Sequence, residues 1–244
     1  MSDRINLTGM VLSSMPVGEF DRRIVLLTKE RGKISAFAKN ARRSKSQIAA
    51  ATNPFVSGVF EAFEGRESYT IYSADISNYF EALTGDLELV WYGYYFLEIA
   101  EYFSLENVDE TERLVLLYQS FRAMLVGRIP VELVRLVYEF KTLVINGDYP
   151  NVFQCQSCKK RENLIFLSSD RRGVLCSDCC GNGRGIRISP SALYTLQYIA
   201  STPSSKVYSF VLKDEILEEL SYIINEYYNL YVGHSFKSES FLDL

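Results

Sequence analysis

Five cysteines fall within 26 consecutive positions, Cys155 to Cys180, and none lies elsewhere in the chain. Random placement does not crowd them so. Four form two pairs, Cys155-Gln-Ser-Cys158 and Cys176-Ser-Asp-Cys179, separated by 17 residues. A C-x2-C turn aims two sulfurs at one point, and two such turns complete a tetrahedron of thiolates around a zinc ion. Disulfides are the competing use, and an intracellular setting disfavours them. Cys180 adjoins Cys179 and competes for the fourth position; Cys179 is preferred for the tighter spacing. Four thiolates close the coordination shell and leave no place for an activated water. The spacing therefore predicts a structural zinc holding together an insert too small for its own core. Inside it, Phe166, Leu167, Val174 and Leu175 are expected to form a hairpin turning at Asp170-Arg171-Arg172-Gly173.

On either side of this insert the pattern is helical, and the first ~80 residues read as β-rich. Strands are expected at Ile5–Leu12, Arg23–Thr28, Ile34–Lys39, Phe55–Phe63 and Tyr69–Ile76. In the third, Ile34, Ala36 and Ala38 face one way, and Ser35, Phe37 and Lys39 the other. Phe37 could then stack a nucleobase beside Lys39, or fill the barrel instead. The Ala-rich stretch Ser44–Ala51, between the third and fourth strands, is helix-prone. Five strands interrupted by a short helix suit an OB-fold barrel. Helices follow at Asp86–Phe103, from Asp109 to about Gly127 with Glu112 resembling a capping-box partner, between Pro130 and Gly147, from Ser189-Pro190, and at Asp214–Val232. The fold class is α+β: an OB-fold domain at 1–79, a helical domain at 80–150 and 186–244, and the zinc-binding insert at 151–185.

The net charge of −4 conceals an asymmetry. Residues 1–54 carry ten Lys/Arg against four Asp/Glu, and the remainder is acidic. Polyanions respond to local potential rather than to totals. The densest run is Lys39-Asn-Ala-Arg42-Arg43-Ser44-Lys45, with Arg22, Arg23, Lys29, Arg31 and Lys33 on neighbouring strands or turns. Guanidinium groups suit phosphates, so this end is the candidate nucleic-acid surface. Enzymatic signatures are wanting. The single histidine is His234, no phosphate-binding G-x-x-x-x-G-K-[ST] or G-x-G-x-x-G motif occurs, and Gly181-Asn-Gly-Arg-Gly185 reads as a loop. The polar start and the lack of a long apolar run predict a soluble, cytoplasmic chain.

Gly9-Met-Val-Leu12, Gly18-Glu-Phe-Asp-Arg22, Leu27-Thr-Lys-Glu-Arg-Gly-Lys33, Ala38-Lys-Asn-Ala-Arg-Arg-Ser-Lys45 and Asn53-Pro-Phe55, followed by helices interrupted by four cysteines, resemble the RecO family of bacterial DNA-repair mediators. The resemblance implies a non-catalytic protein that binds single- and double-stranded DNA and anneals complementary strands. It implies partnership with RecR and the single-strand-binding protein, and through them RecA, in a cytoplasmic, nucleoid-associated setting. It carries DNA contact onto Arg22, Arg23, Lys33, Lys39, Arg42, Arg43 and Lys45, and zinc ligation onto Cys155, Cys158, Cys176 and Cys179. Two positions depart from the family's pattern: Asn40, where glycine is usual, and Glu239, where a basic residue is common in the tail. A zinc-stabilised protein-interaction adaptor is the alternative, suggested by the acidic, Tyr-rich helices.

Overall fold

The computed structural model describes residues 4–66, 68–181 and 185–242. Glu67, between the strands expected at Phe55–Phe63 and Tyr69–Ile76, and residues 182–184 of the glycine-rich loop lie outside them. The chain forms two compact units, one of Met1–Leu125 with Ser235–Leu244, the other of Val126–His234.

In the first unit, β1 (Arg4–Val17), β2 (Asp21–Thr28), β3 (Gly32–Ala38), β4 (Ser57–Glu64) and β5 (Tyr69–Asn78) close into a barrel in the order β1-β2-β3-β5-β4. Every pairing is antiparallel except β3 with β5. β1 is long because it serves two partners. Arg4–Met10 pairs with β4 and Gly9–Val17 with β2, and a register shift between Val11 and Ser13 bends the strand from one to the other. Leu7, Val11, Ile24, Leu26, Ile34, Ala36 and Phe60 fill the interior. β3 alternates as its sequence requires, and Phe37 lies half-buried outside this core.

The helix expected at Ser44–Ala51 does not form. This segment runs through turns into one 3-10 turn, Ala50–Thr52. The Arg22 guanidinium donates to Ala49 O (3.3 Å), Thr52 Oγ1 (3.0 Å) and Asn53 Oδ1 (2.7 Å). Those tertiary bonds override a local propensity worth a few tenths of a kcal/mol per residue, on the order of its usual size. The fourth strand starts at Ser57 rather than Phe55. Phe55 has a left-handed backbone (φ 74°), is buried, and packs edge-on against Tyr94 and Phe121 at 5.0 and 5.5 Å.

After a single unanticipated turn, α1 (Glu81–Thr84), come α2 (Leu87–Phe103) and α3 (Thr111–Val126). Asp86 caps α2, its Oδ1 accepting from Leu89 N, and Asp109 Oδ1 accepts from Thr111 N. The connection between these helices is stitched to the β2–β3 turn. Lys33 N donates to Leu105 O and Asn107 N to Arg31 O. Gly32 makes this possible: its φ is 64°, and an added Cβ would stand 2.2 Å from Leu105 O.

In the second unit, α4 (Val131–Asn146) lies between Pro130 and Gly147, whose φ of 81° ends the helix. β6 (Leu164–Ser168), β7 (Gly173–Cys176) and β8 (Gly185–Arg187) form a sheet ordered β7-β6-β8. The hairpin is where the apolar pairs suggested; β8 was not anticipated. α5 (Pro190–Ser201) is capped by Ser189 Oγ, which accepts from Ala192 N, and α6 (Asp214–Tyr231) follows. The buried Lys141 ammonium closes the end of α5 by donating to Ile199 O, Ala200 O and Thr202 O. Among the described residues no helix is long and apolar enough to cross a membrane.

Candidate metal centre and nucleic-acid interface

The insert begins by joining its own hairpin. Asn151 N donates to Arg172 O, Val174 N to Asn151 O, and Gln156 N to Val174 O. This brings the first cysteine turn alongside the second. The first turn is closed by Cys155 N to Lys160 O (2.8 Å) and Lys159 N to Cys155 O (2.9 Å). The second is closed by Cys179 N and Cys180 N, both donating to Cys176 O at 3.0 Å. The two turns converge: the sulfurs of Cys155, Cys158, Cys176 and Cys179 all lie within 4.8 Å of one another, and Cys158 Sγ is 3.6 Å from Cys176 Sγ. Metal–sulfur bonds of about 2.3 Å in a tetrahedron place sulfurs about 3.8 Å apart, so this quartet fits a four-coordinate metal. It is too open for a disulfide, whose sulfurs stand at about 2.05 Å. Cys180 is not one of the four; its sulfur donates to Ser177 O.

Burial alone would push the Cys155 thiol up. Backbone N–H groups of Cys158, Cys176 and Ser157 directed at its sulfur outweigh that and hold it down at about 6. Cys179 is pushed up to about 12, chiefly by hydrogen bonding with Cys158 and Cys176. Cys155 is thus the readier thiolate and Cys179 the thiol that keeps its proton. Metal ligation requires thiolates, so uptake of an ion releases such protons.

At the barrel, β2 points its two adjacent arginines to opposite faces. Arg22, half-buried on the same strand face as Ile24 and Leu26, binds the 49–53 segment as described. Arg23 is exposed, its Nε donating to Ser35 Oγ at 2.8 Å. The strand register sets Arg23 between Met15 on β1 and Phe37 on β3, so these three form one row on the outer face. Met15 is 53% exposed and Phe20, in the adjoining β1–β2 turn, 37%.

The basic loop is anchored beside this row. Asn40 N donates to Asp21 Oδ1 (2.7 Å), Arg42 N to Phe20 O (2.9 Å), and Arg42 Nη1 to Gly18 O and Glu19 O, each at 3.2 Å. The Arg43 guanidinium stands 4.6 Å from the Phe20 ring centroid. Lys39, Arg42, Arg43 and Lys45 are all exposed. Lys33 is not brought to them: it lies six residues up β3, about 20 Å of extended chain, and its Nζ donates to Glu101 O at 2.6 Å. Phe20 and Met15 were not anticipated in this surface. Their positions depend on register and turn geometry, which the local pattern does not display.

Comparison with known proteins gives the family. Residues 1–80 match the model for the recombination protein O N terminal, and residues 84–240 that for the recombination protein O C terminal. The chain belongs to the recombination protein O family. "DNA repair protein RecO" of Acetivibrio thermocellus is 34% identical over 227 residues, covering 91% of this chain and 90% of that protein. Those of Alkaliphilus metalliredigens (28%; 91% and 92%) and Bacillus pumilus (26%; 98% and 93%) match over similar spans. The two departures from the RecO pattern have local explanations. Asn40 holds φ 57°, the left-handed conformation that asparagine tolerates best after glycine. Glu239 Oε2 accepts from Phe236 N at 3.4 Å and so closes the turn of the C-terminal segment.

Proposed function

We propose that this protein is a DNA-binding recombination mediator in DNA repair, holding single- and double-stranded DNA on an OB-fold barrel formed by residues 1–79. The observation that carries the reading is the anchored loop Lys39–Lys45, with the Arg43 guanidinium over the Phe20 ring, beside the outer-face row of exposed Met15 and Arg23 and half-buried Phe37. Cations flanking flat, apolar side chains suit a phosphate backbone whose bases stack. Arg23, Lys39, Arg42, Arg43 and Lys45 would meet DNA, while Arg22 and Lys33 shape the surface from behind. The strand order β1-β2-β3-β5-β4 supports the OB assignment. Helices at 80–150 and 186–244 would carry the insert at 151–185, whose Cys155, Cys158, Cys176 and Cys179 would hold a structural zinc.

Bound zinc would supply rigidity rather than reactivity, because four thiolates complete its shell. The chemistry is therefore binding and exchange: annealing complementary strands and assisting RecA loading with RecR and the single-strand-binding protein, in the cytoplasm. Relatives named for DNA repair support this.

A second reading, an adaptor for proteins, draws on the apolar groove between α5 and residues 209–212, where Tyr194 and Val211 are 69% and 68% exposed. Fluorescence anisotropy with labelled single-stranded and duplex oligonucleotides across a salt series separates the two. The mediator binds both, with affinity falling as salt rises. In Arg42→Ala/Arg43→Ala the single-strand salt slope flattens by about 1.4, two phosphates' worth. Unchanged affinity removes the loop from the interface, and no binding by folded, zinc-loaded protein favours the adaptor.

A further inference from the structure

We propose that the four-cysteine element is a second nucleic-acid surface, gripping the phosphate backbone of a strand independently of the barrel. This rests on the DNA-binding reading above and extends it to a part of the chain that otherwise only holds a metal.

The starting point is charge. Residues 151–187 carry seven Lys/Arg against three Asp/Glu, whereas the remainder of Val126–His234 carries five against eight. The cations cluster at two places. Lys159, Lys160 and Arg161 follow the first cysteine turn, and Arg171 and Arg172 form the hairpin turn at the far end of β6. Arg187 lies between, paired across the sheet with Phe166, so these two share a face. The side chains of Lys159, Lys160, Arg161, Arg171, Arg172 and Arg187 are exposed. The span from one cluster to the other is the length of β6, about 15 Å, which covers several phosphates of a single strand.

Backbone conformation adds an independent observation. Lys159 (φ 64°) and Arg172 (φ 49°) both occupy the left-handed region. Glycine is the unstrained residue there, and a long side chain is strained. The element carries a cation at each of the two turns where a glycine would fold more easily. Strain held at exposed turns points to use of the side chains rather than to folding.

Some of these charges also serve the element itself. Lys160 pairs with Asp178 at 3.0 Å, Lys159 Nζ donates to Gln156 O, and Arg172 stands 5.5 Å from the Tyr231 ring. Arg161, Arg171 and Arg187 form no ion pair among the described residues. Cys155 and Cys176 are buried, Cys179 is half-buried and Cys158 exposed, so a metal–thiolate centre would offset part of the charge beside the first cysteine turn, whereas Arg171 and Arg172 stand at the opposite end of β6 from it. A rigid basic surface on one unit and another on the barrel let one chain hold two strands, the elementary requirement for annealing them.

The test uses full-length, zinc-loaded protein and the variant Arg161→Ala/Arg171→Ala/Arg187→Ala, none of which is a metal ligand or a core residue. Zinc content and circular dichroism are measured first, to establish that the element stays folded. Native mass spectrometry then counts short thymidine oligonucleotides bound per chain, and anisotropy gives the salt slope. The parent protein takes up two oligonucleotides and the variant one, with a slope flatter by about 2, as expected for three lost phosphate contacts. Arg42→Ala/Arg43→Ala keeps a residual binding that the three further substitutions abolish. A folded variant with unchanged stoichiometry and slope overturns the second surface while leaving the barrel's role intact. A parent protein that binds no oligonucleotide overturns both. Capture of polyglutamate that oligonucleotides cannot displace assigns the surface to an acidic protein instead.

Discussion

Gly93 shows how one missing atom positions two elements. It lies within α2, where alanine would ordinarily be favoured by about 1 kcal/mol. A Cβ at this position would stand 2.8 Å from Phe55 Cε1, and that ring is buried against Tyr94 and Phe121. The ring cannot move aside, so overcrowding outweighs propensity: Gly93→Ala should destabilise the protein by about 1–3 kcal/mol in urea unfolding. Asn40 is the converse case. Its φ of 57° suits glycine, so Asn40→Gly should leave stability and DNA affinity nearly unchanged. Asn40→Val should lose about 1–2 kcal/mol through the left-handed penalty of a branched residue. Among the cysteines, Cys179→Ser should lower metal content as read by atomic absorption. Cys180→Ser should leave it intact, because the Cys180 sulfur is turned to Ser177 O.

At the scale of elements, the insert and the barrel differ in what holds them. The insert has a three-stranded sheet, and besides the sulfurs its two cysteine turns are joined by little more than the exposed Lys160–Asp178 pair and single backbone hydrogen bonds such as Gln156 N to Val174 O. Chelation should therefore make residues 151–185 sensitive to protease while far-ultraviolet dichroism stays near its helical value. Full resistance after verified metal loss would count against a structural ion. This element was the most legible part of the sequence, because ligand spacing is a local signal. The five strands were legible by their alternation and turn residues, and the long helices by their caps. What escaped was set by distant partners. The helix expected at Ser44–Ala51 yields to Arg22, two strands away. The Met15–Arg23–Phe37 row exists only because of pairing register. α1 and β8 are too short to show a period.

The whole chain leaves its first unit after Leu125 and returns to it at Ser235. The sequence marked this tail only by composition, yet the structure gives it a defined seat on α2. Phe236 is buried, edge-on to Tyr95 and Tyr102 at 5.8 and 5.7 Å. Ser238 donates to Glu98 Oε2 through both its N (3.0 Å) and its Oγ (2.7 Å). Phe241 lies flat on Trp91, with ring centroids 4.2 Å apart. The unit Val126–His234 is thus an insertion tethered at both ends, and the tail is its second tether. Removing Phe236 would empty a buried site, and Phe236→Ala should lower stability by about 3 kcal/mol. Trp91 is the only tryptophan and Phe241 lies on its ring, so its fluorescence reports locally on the seat of the tail. Phe241→Ala should shift that emission to the red with little loss of stability, because Phe241 is itself 41% exposed. If Phe236→Ala releases the tail, the same red shift should appear in that variant well below its unfolding midpoint. A shift seen only at global unfolding would mean that Ser238 and Phe241 hold the tail without Phe236.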